Sequence, residues 1–109
     1  MRIWLIGADQ RGTEVLRQLQ KNANIEVVVS DAREDPKAVT EGVIAQVDYV
    51  EQVSSVNVNK LARRVRPDLI LIDAGAEQRS IGRVTGGTTF SDALVGEIAT
   101  VSDYPCLVL

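Results

Sequence analysis

The residues best suited to bind a ligand lie just after the first apolar run of the chain. Gly7 ends that run, and Gly12 follows where a helix is predicted to begin. The free N–H groups of a helix N-terminus favour an anion such as a phosphate. Asp9 stands between the glycines, and its carboxylate would repel a phosphate there by on the order of several kcal/mol. The same segment therefore argues for an anion site and against it.

Asp9 has two alternative roles, and the sequence leaves both open. Its carboxylate can lie in a ligand site, with Arg11 offsetting part of the repulsion. Alternatively, Asp9 caps the helix and takes the amides that a phosphate would use. Gly7 and Gly12 would then form only a strand-turn-helix junction, in which Gly12 lets the helix pack close to the sheet.

A second acidic residue, Asp31, ends the second apolar run, 19 residues after Gly12. At this spacing a carboxylate can accept hydrogen bonds from the hydroxyls of an adenosine ribose, which favours NAD. Arg33 lies two residues further on and leaves NADP open. In the alternative interpretation Asp31 merely ends a strand in solvent.

A glycine-bearing connection later in the chain is a second candidate anion site. Two cations, a glycine pair and hydroxyl donors precede a predicted helix there; they are Arg79, Arg83, Gly86, Gly87, Thr88 and Thr89. The alternative is a plain flexible turn, with Thr89 as the N-cap and Asp92 at capping-box spacing.

Catalysis by this chain alone is not expected. The sequence contains no histidine, and its one cysteine, Cys106, lies in an apolar run. The acidic residues are spread over predicted turns, so no metal site is expected, and a lone central carboxylate such as Asp73 does not make a mechanism.

Apolar runs and helical periodicity alternate along the chain. Strands are predicted at residues 3–6, 25–31, 46–50, 68–75 and 106–109. Helices are predicted at about 12–21, 36–42, 56–66 and 89–103. Alternation of this kind indicates an α/β fold, with an open parallel sheet of about five strands and helices on both faces.

Ligands of such sheets bind outside the carboxyl ends of the strands, near the point where strand order reverses. Four segments meet at that edge in the predicted fold: Gly7 to Gly12, including Ala8, Gln10 and Arg11; Asp31 to Arg33, including Ala32; Asp73 to Gly75, including Ala74; and the glycine-bearing connection from Arg79 to Thr89.

Length and composition limit the classes further. With 109 residues and 45% hydrophobic residues, the chain is expected to form a single domain over residues 1–109. A net charge of −3 makes nucleic acid an unexpected partner. No apolar run is long enough for membrane insertion, and the single cysteine suits a cytoplasmic, reducing setting.

The first 33 residues or so resemble the N-terminal half of NAD(P)-binding Rossmann domains. The most similar patterns are those of the nucleotide-binding domains of potassium-uptake regulators and of the N-terminal domains of glucose-fructose-oxidoreductase-type dehydrogenases. The pattern Gly-x-Gly-x-x-Gly maps to Gly7, Asp9 and Gly12, and the ribose-binding acid maps to Asp31. The resemblance implies a Rossmann-like fold with NAD or NADP as its cofactor.

Three functions are compatible with these features. The first is a non-catalytic regulatory domain that binds an NAD(H)-type or other adenine nucleotide. The second is a degenerate Rossmann-like module that acts through protein contacts without a nucleotide. The third is the cofactor half of a dehydrogenase whose catalytic domain lies beyond Leu109. The apolar end, residues 106–109, suggests either an edge strand closed in a homodimer or an N-terminal fragment that lacks a C-terminal domain.

Overall fold

A computed structural model describes residues 1–76 and 87–109. Within these ranges the chain forms one parallel sheet with the strand order β3-β2-β1-β4-β5. The strands are β1 (Arg2–Ile6), β2 (Glu26–Asp31), β3 (Tyr49–Val50), β4 (Leu69–Ile72) and β5 (Cys106–Val108). The helices are α1 (Gln10–Leu19), α2 (Lys37–Thr40), α3 (Val58–Val65) and α4 (Gly87–Val101). This architecture confirms the predicted α/β fold class.

Strand β1 lies at the centre of the sheet and sets the position of the site. Its residues 3–6 are all buried, which explains their uninterrupted apolar character, because helices cover both faces of a parallel sheet. Ile6, at the carboxyl end of β1, pairs with Ser30 of β2 and with Ile72 of β4. The carboxyl ends of these three strands therefore lie together at one edge.

The two faces of the sheet carry separate hydrophobic cores. On one face, Trp4 and Ile6 pack with residues of α3 and α4, including Leu61 and Ile98. On the opposite face, the core contains Ile3, Leu5, Val29 and Leu71 of the sheet, with Leu16 of α1 and Ala38 of α2. Alternate residues of β1 thus serve opposite cores, as the geometry of a strand requires.

Several predicted boundaries are wrong. Strand β4 ends at Ile72 rather than at residue 75, because residues 74–76 are helical. Helix α1 begins at Gln10 rather than near Gly12, because Asp9 is its N-cap residue. Strand β3 contains only Tyr49–Val50 rather than residues 46–50, although Val47 contributes to the core by packing.

The predicted N-cap of the last helix is also wrong. Thr89 lies inside α4, which already includes Gly87, so it is not the N-cap. Helices in proteins are stabilised mainly by packing, and Ile98 of α4 is buried, so a capping signal alone does not locate the start of this helix.

No helix in the described part of the chain is long and apolar enough to cross a membrane.

Candidate functional site

The glycine loop between β1 and α1 has a geometry that only glycine permits at its first position. Gly7 has a φ of +88°, and a Cβ placed there would lie 2.6 Å from Cβ of Ala76. The Gly7 N–H donates to the Ser30 carbonyl at 2.7 Å, which continues the pairing with β2 past the end of β1. Gly7 therefore provides the sharp exit from β1 that the sequence predicts.

Gly12 permits close packing of α1 against the end of β1. A Cβ at this position would lie 2.6 Å from the Gly7 carbonyl oxygen and 3.0 Å from Oδ2 of Asp73. A backbone oxygen cannot move aside as a flexible side chain can. Gly12 therefore has the packing role that the sequence predicts.

The most buried charged group of the site is Asp73, which directly follows β4 and is 0% exposed. Its Oδ2 accepts hydrogen bonds from the amides of Asp9 at 3.0 Å and Gly12 at 2.8 Å. Its Oδ1 accepts from the amides of Gly75 at 3.0 Å and Ala76 at 3.4 Å. One carboxylate thus satisfies backbone donors from the start of α1 and from the segment after β4.

Sequence reasoning missed this role of Asp73, although a signal was present. The residue directly follows a central apolar strand, and the adjacent strand β1 ends at the glycine loop. A carboxylate at that point of a parallel sheet faces the free amides of the first helix. The carboxylate of Asp73 is thus the anion that accepts the amides at the start of α1.

The side chain of Asp9 makes no capping hydrogen bond to α1, although Asp9 is the N-cap residue. The alternative in which Asp9 caps the helix is therefore wrong. The reason is that the carboxylate of Asp73 takes the Gly12 amide from across the sheet edge. The Asp9 side chain instead lies towards Gly75, with its Oδ2 3.6 Å from the position that a Cβ of Gly75 would have.

Asp31 lies at the carboxyl end of β2 and is buried, with 4% of its surface exposed. Its Oδ2 accepts a hydrogen bond from the Ala8 amide at 2.9 Å. Its Oδ1 accepts from the Arg33 amide at 2.9 Å and from Nε of Arg33 at 3.4 Å. The alternative in which Asp31 merely ends a strand in solvent is therefore wrong. The carboxylate links β2 to the glycine loop.

Arg33 carries an unsatisfied donor beside this carboxylate. Its side chain is 34% exposed as a whole, but Nη2 is buried and has no hydrogen-bond partner within the described residues. A buried donor without a partner is uncommon, because it costs about 1–3 kcal/mol. The end of β2 thus places an acceptor group and an unsatisfied donor side by side.

A cavity of about 480 Å³ lies between the first turn of α1 and the segment after β4. This volume suits a small molecule. Within the described ranges the lining residues are Asp9, Gln10, Arg11, Glu14, Asp73, Ala74 and Gly75. Three of these seven residues are acidic and one is basic, so the described lining disfavours a further anion.

The structure brings most of the predicted site residues together. The residues from Asp9 to Arg11 line the cavity with Ala74 and Gly75, and Ala8 donates to Asp31. Ala32 is exposed at the surface after β2.

The predicted second anion site falls largely outside the described residues. Arg79, Arg83 and Gly86 lie there, whereas Gly87, Thr88 and Thr89 are described as helical residues of α4. Within the described ranges, no cluster of histidine, cysteine and acidic side chains could hold a metal ion.

Comparisons with known proteins identify a fold and no family. No family model and no curated protein matches the sequence. Among solved structures, the chain is similar to UDP-glucose 4-epimerase from the hyperthermophile Thermotoga maritima, solved with UDP-glucose, with a TM-score of 0.56 and 16% identity. The similarity covers 99% of this chain and 37% of the epimerase chain.

The order of the parallel strands and this similarity together show which fold the protein has. The chain has a Rossmann-like fold, as the sequence predicts. At 16% identity the similarity concerns the fold alone. The resemblance to potassium-uptake regulators and to glucose-fructose-oxidoreductase-type dehydrogenases stays a prediction.

Proposed function

We propose that the chain is a non-catalytic regulatory domain that binds the adenosine part of a nucleotide at the carboxyl edge of its sheet. The observation that carries the proposal is the pair at the end of β2. There the buried carboxylate of Asp31 lies beside Nη2 of Arg33, a buried donor without a partner in the described chain. An acceptor beside a donor suits a ribose hydroxyl or a ribose phosphate.

The residues at the end of β2 fit a ribose. Each carboxylate oxygen can accept two hydrogen bonds, and Oδ2 of Asp31 accepts one, from the Ala8 amide. A ligand hydroxyl would use the remaining lone pair, while a ligand oxygen would satisfy Arg33. A phosphate on the 2′-hydroxyl would gain most from the guanidinium, so both NAD-type and NADP-type adenosine groups belong in the test.

The residues at the glycine loop do not fit the diphosphate of a dinucleotide. The amides of Asp9 and Gly12 already donate to Asp73, and the cavity beside them has an acidic lining. For this reason the proposal places the ligand by its nucleoside part. The epimerase similar in fold was solved with UDP-glucose, a nucleotide sugar, which supports a nucleotide as the class of ligand.

The proposal is tested by titrating the ¹⁵N-labelled chain with adenosine, 5′-AMP, 2′-AMP, NAD⁺ and NADP⁺ while its amide resonances are followed. Adenosine and 2′-AMP should shift the amides of Ala8, Asp31 and Arg33, and 2′-AMP should bind more tightly. The substitution Arg33→Met should remove the preference for 2′-AMP. Arg63→Met is the matched control, because Arg63 is an exposed cation on α3. Absence of any response at millimolar ligand would refute the proposal.

A second candidate function, a module that acts through protein contacts without a nucleotide, is favoured by a different observation. The edge strand β5 exposes Leu107 by 58% and Val108 by 48%. Exposed apolar residues on the edge strand of a sheet favour association with another chain. Sedimentation measurements across protein concentration would test a homodimer, and Leu107→Lys should lower the association constant if β5 forms the interface.

A further inference from the structure

We infer that Asp73 determines which class of ligand binds at the carboxyl edge of the sheet, because its carboxylate excludes a diphosphate from the glycine loop. The inference rests on the proposed function for the nucleoside part of the ligand. The exclusion itself concerns only this chain and an inorganic anion, so it can be tested separately.

The hydrogen bonds of Asp73 are those that a bound phosphate would need. The amides of Asp9 and Gly12 belong to the start of α1, where the helix dipole and the free N–H groups favour an anion. Both amides point at Oδ2 of Asp73, at 3.0 and 2.8 Å. A phosphate oxygen could receive these donors only after the carboxylate had left.

Space and burial oppose that departure. Asp73 is 0% exposed, and its Oδ2 lies 3.0 Å from the point where a Cβ of Gly12 would be. A phosphate in the cavity that Asp73 lines would therefore lie against this carboxylate. A displaced carboxylate would also lose the donors of Gly75 and Ala76 on its other oxygen, and a buried charge without donors is strongly unfavourable.

The charge of the cavity lining also opposes a diphosphate, whereas Asp9 has a smaller part in the exclusion than Asp73. Asp9 and Glu14 line the cavity together with Asp73, against one cation, Arg11, among the described lining residues, so a diphosphate would meet further negative charge. However, the side chain of Asp9 forms no capping hydrogen bond to α1, and the Gly12 amide donates to Asp73. In Asp9→Gly the amide of Gly12 would therefore stay bonded to Asp73.

The site is thus expected to take a nucleoside, or a nucleotide whose phosphate lies away from the start of α1. Affinity should not increase from adenosine to ADP or NAD⁺. A glycine loop with free amides would bind ADP and NAD⁺ more tightly than adenosine, because the diphosphate would then add binding energy.

The test is a titration with inorganic pyrophosphate at constant ionic strength, with the Gly12 amide followed by NMR. In the unmodified chain this amide should not respond at millimolar pyrophosphate. Asp73→Ala removes the carboxylate and frees its amides, and should raise the affinity for pyrophosphate at least about tenfold, a factor that corresponds to one charge-assisted hydrogen bond. Asp103→Ala removes the same charge from an exposed position and should leave the affinity unchanged.

Asp9→Gly separates the two acidic residues. We expect it to gain no pyrophosphate binding at Gly12. A gain in Asp9→Gly equal to that in Asp73→Ala, or a Gly12 response in the unmodified chain, would overturn the inference. Failure of a folded Asp73→Ala chain to gain affinity would also overturn it.

If Asp73→Ala does not fold, the unmodified chain and Asp9→Gly decide the question. Binding at Gly12 in either refutes the exclusion, and its absence from both supports it. These results do not depend on nucleosides. A missing response of Arg33 to adenosine would refute only the proposed function.

Discussion

The packing of α1 against the end of β1 leads to a quantitative prediction for Gly12→Ala. The added methyl carbon would lie 2.6 Å from the Gly7 carbonyl oxygen and 3.0 Å from Oδ2 of Asp73. The first contact is far inside van der Waals distance and involves backbone. The helix must therefore move away from the sheet, and this movement stretches the bond from the Gly12 amide to Asp73, which is 2.8 Å long.

Three contributions set the size of the effect. Alanine in place of glycine favours a helix by about 1 kcal/mol. Overpacking a dense site costs about 1–3 kcal/mol, and weakening a buried hydrogen bond to a charged group costs about 1.5–3 kcal/mol. The free energy of unfolding should therefore fall by about 3 kcal/mol. In a domain of this size that corresponds to a decrease in Tm of roughly 15 °C.

Thermal unfolding followed by circular dichroism measures this change. Gly96→Ala is the matched control, because Gly96 is an exposed residue of α4 and a Cβ there would meet no atom of the described residues within 4 Å. This control should keep or raise Tm, since only the helix preference of alanine acts. If Gly12→Ala unfolds at the same temperature as Gly96→Ala or higher, the close approach of α1 is refuted.

Three further predictions concern groups away from the loop. Trp4 is buried and its Nε1 donates to Ser30 Oγ at 2.9 Å, so Ser30→Ala should cost about 1–2 kcal/mol. The double variant with Trp4→Phe should cost less than the sum of the single changes, and strict additivity would contradict the bond. Asn59 Oδ1 accepts from the Asp103 amide at 2.8 Å, so Asn59→Ala should speed hydrogen exchange at that amide, and an unchanged rate would contradict the contact. Burial raises the pKa of the Cys106 thiol, so its alkylation rate should level off at a higher pH than that of a small thiol. Because the unfolded chain loses this proton first, the free energy of unfolding should fall as pH rises from the ordinary thiol pKa through the raised pKa. An alkylation rate that levels off at the same pH as that of the small thiol would contradict the raised pKa of Cys106.

The architecture could be predicted because it depends on patterns that are local in sequence. Uninterrupted apolar runs such as residues 69–72 predict strands covered on both faces, and the alternation of strands and helices predicts a parallel sheet. Boundaries were less accurate. At β3, Val47 is buried by packing while the ladder includes only Tyr49–Val50, and sequence periodicity does not separate these two causes.

The network of the site could not be predicted in the same way, because its main acceptor comes from a distant part of the chain. Asp73 is 61 residues from Gly12 in sequence, yet it accepts the Gly12 amide. Capping preferences consider only residues next to the helix, so Asp9 was the acceptor that they offered for these amides. The position of Asp31 at the end of β2 was predicted, whereas its bond to the Ala8 amide depends on the tertiary contact.

The most direct test of the central claim is one set of amide NMR titrations of the unmodified chain, with 2′-AMP in one series and pyrophosphate in the other. The proposed nucleoside site predicts that 2′-AMP shifts the amides of Ala8, Asp31 and Arg33, and that pyrophosphate leaves Gly12 unchanged. No response to 2′-AMP at millimolar concentration would contradict nucleotide binding at the end of β2. A response of Gly12 to pyrophosphate would contradict the exclusion of diphosphate by Asp73.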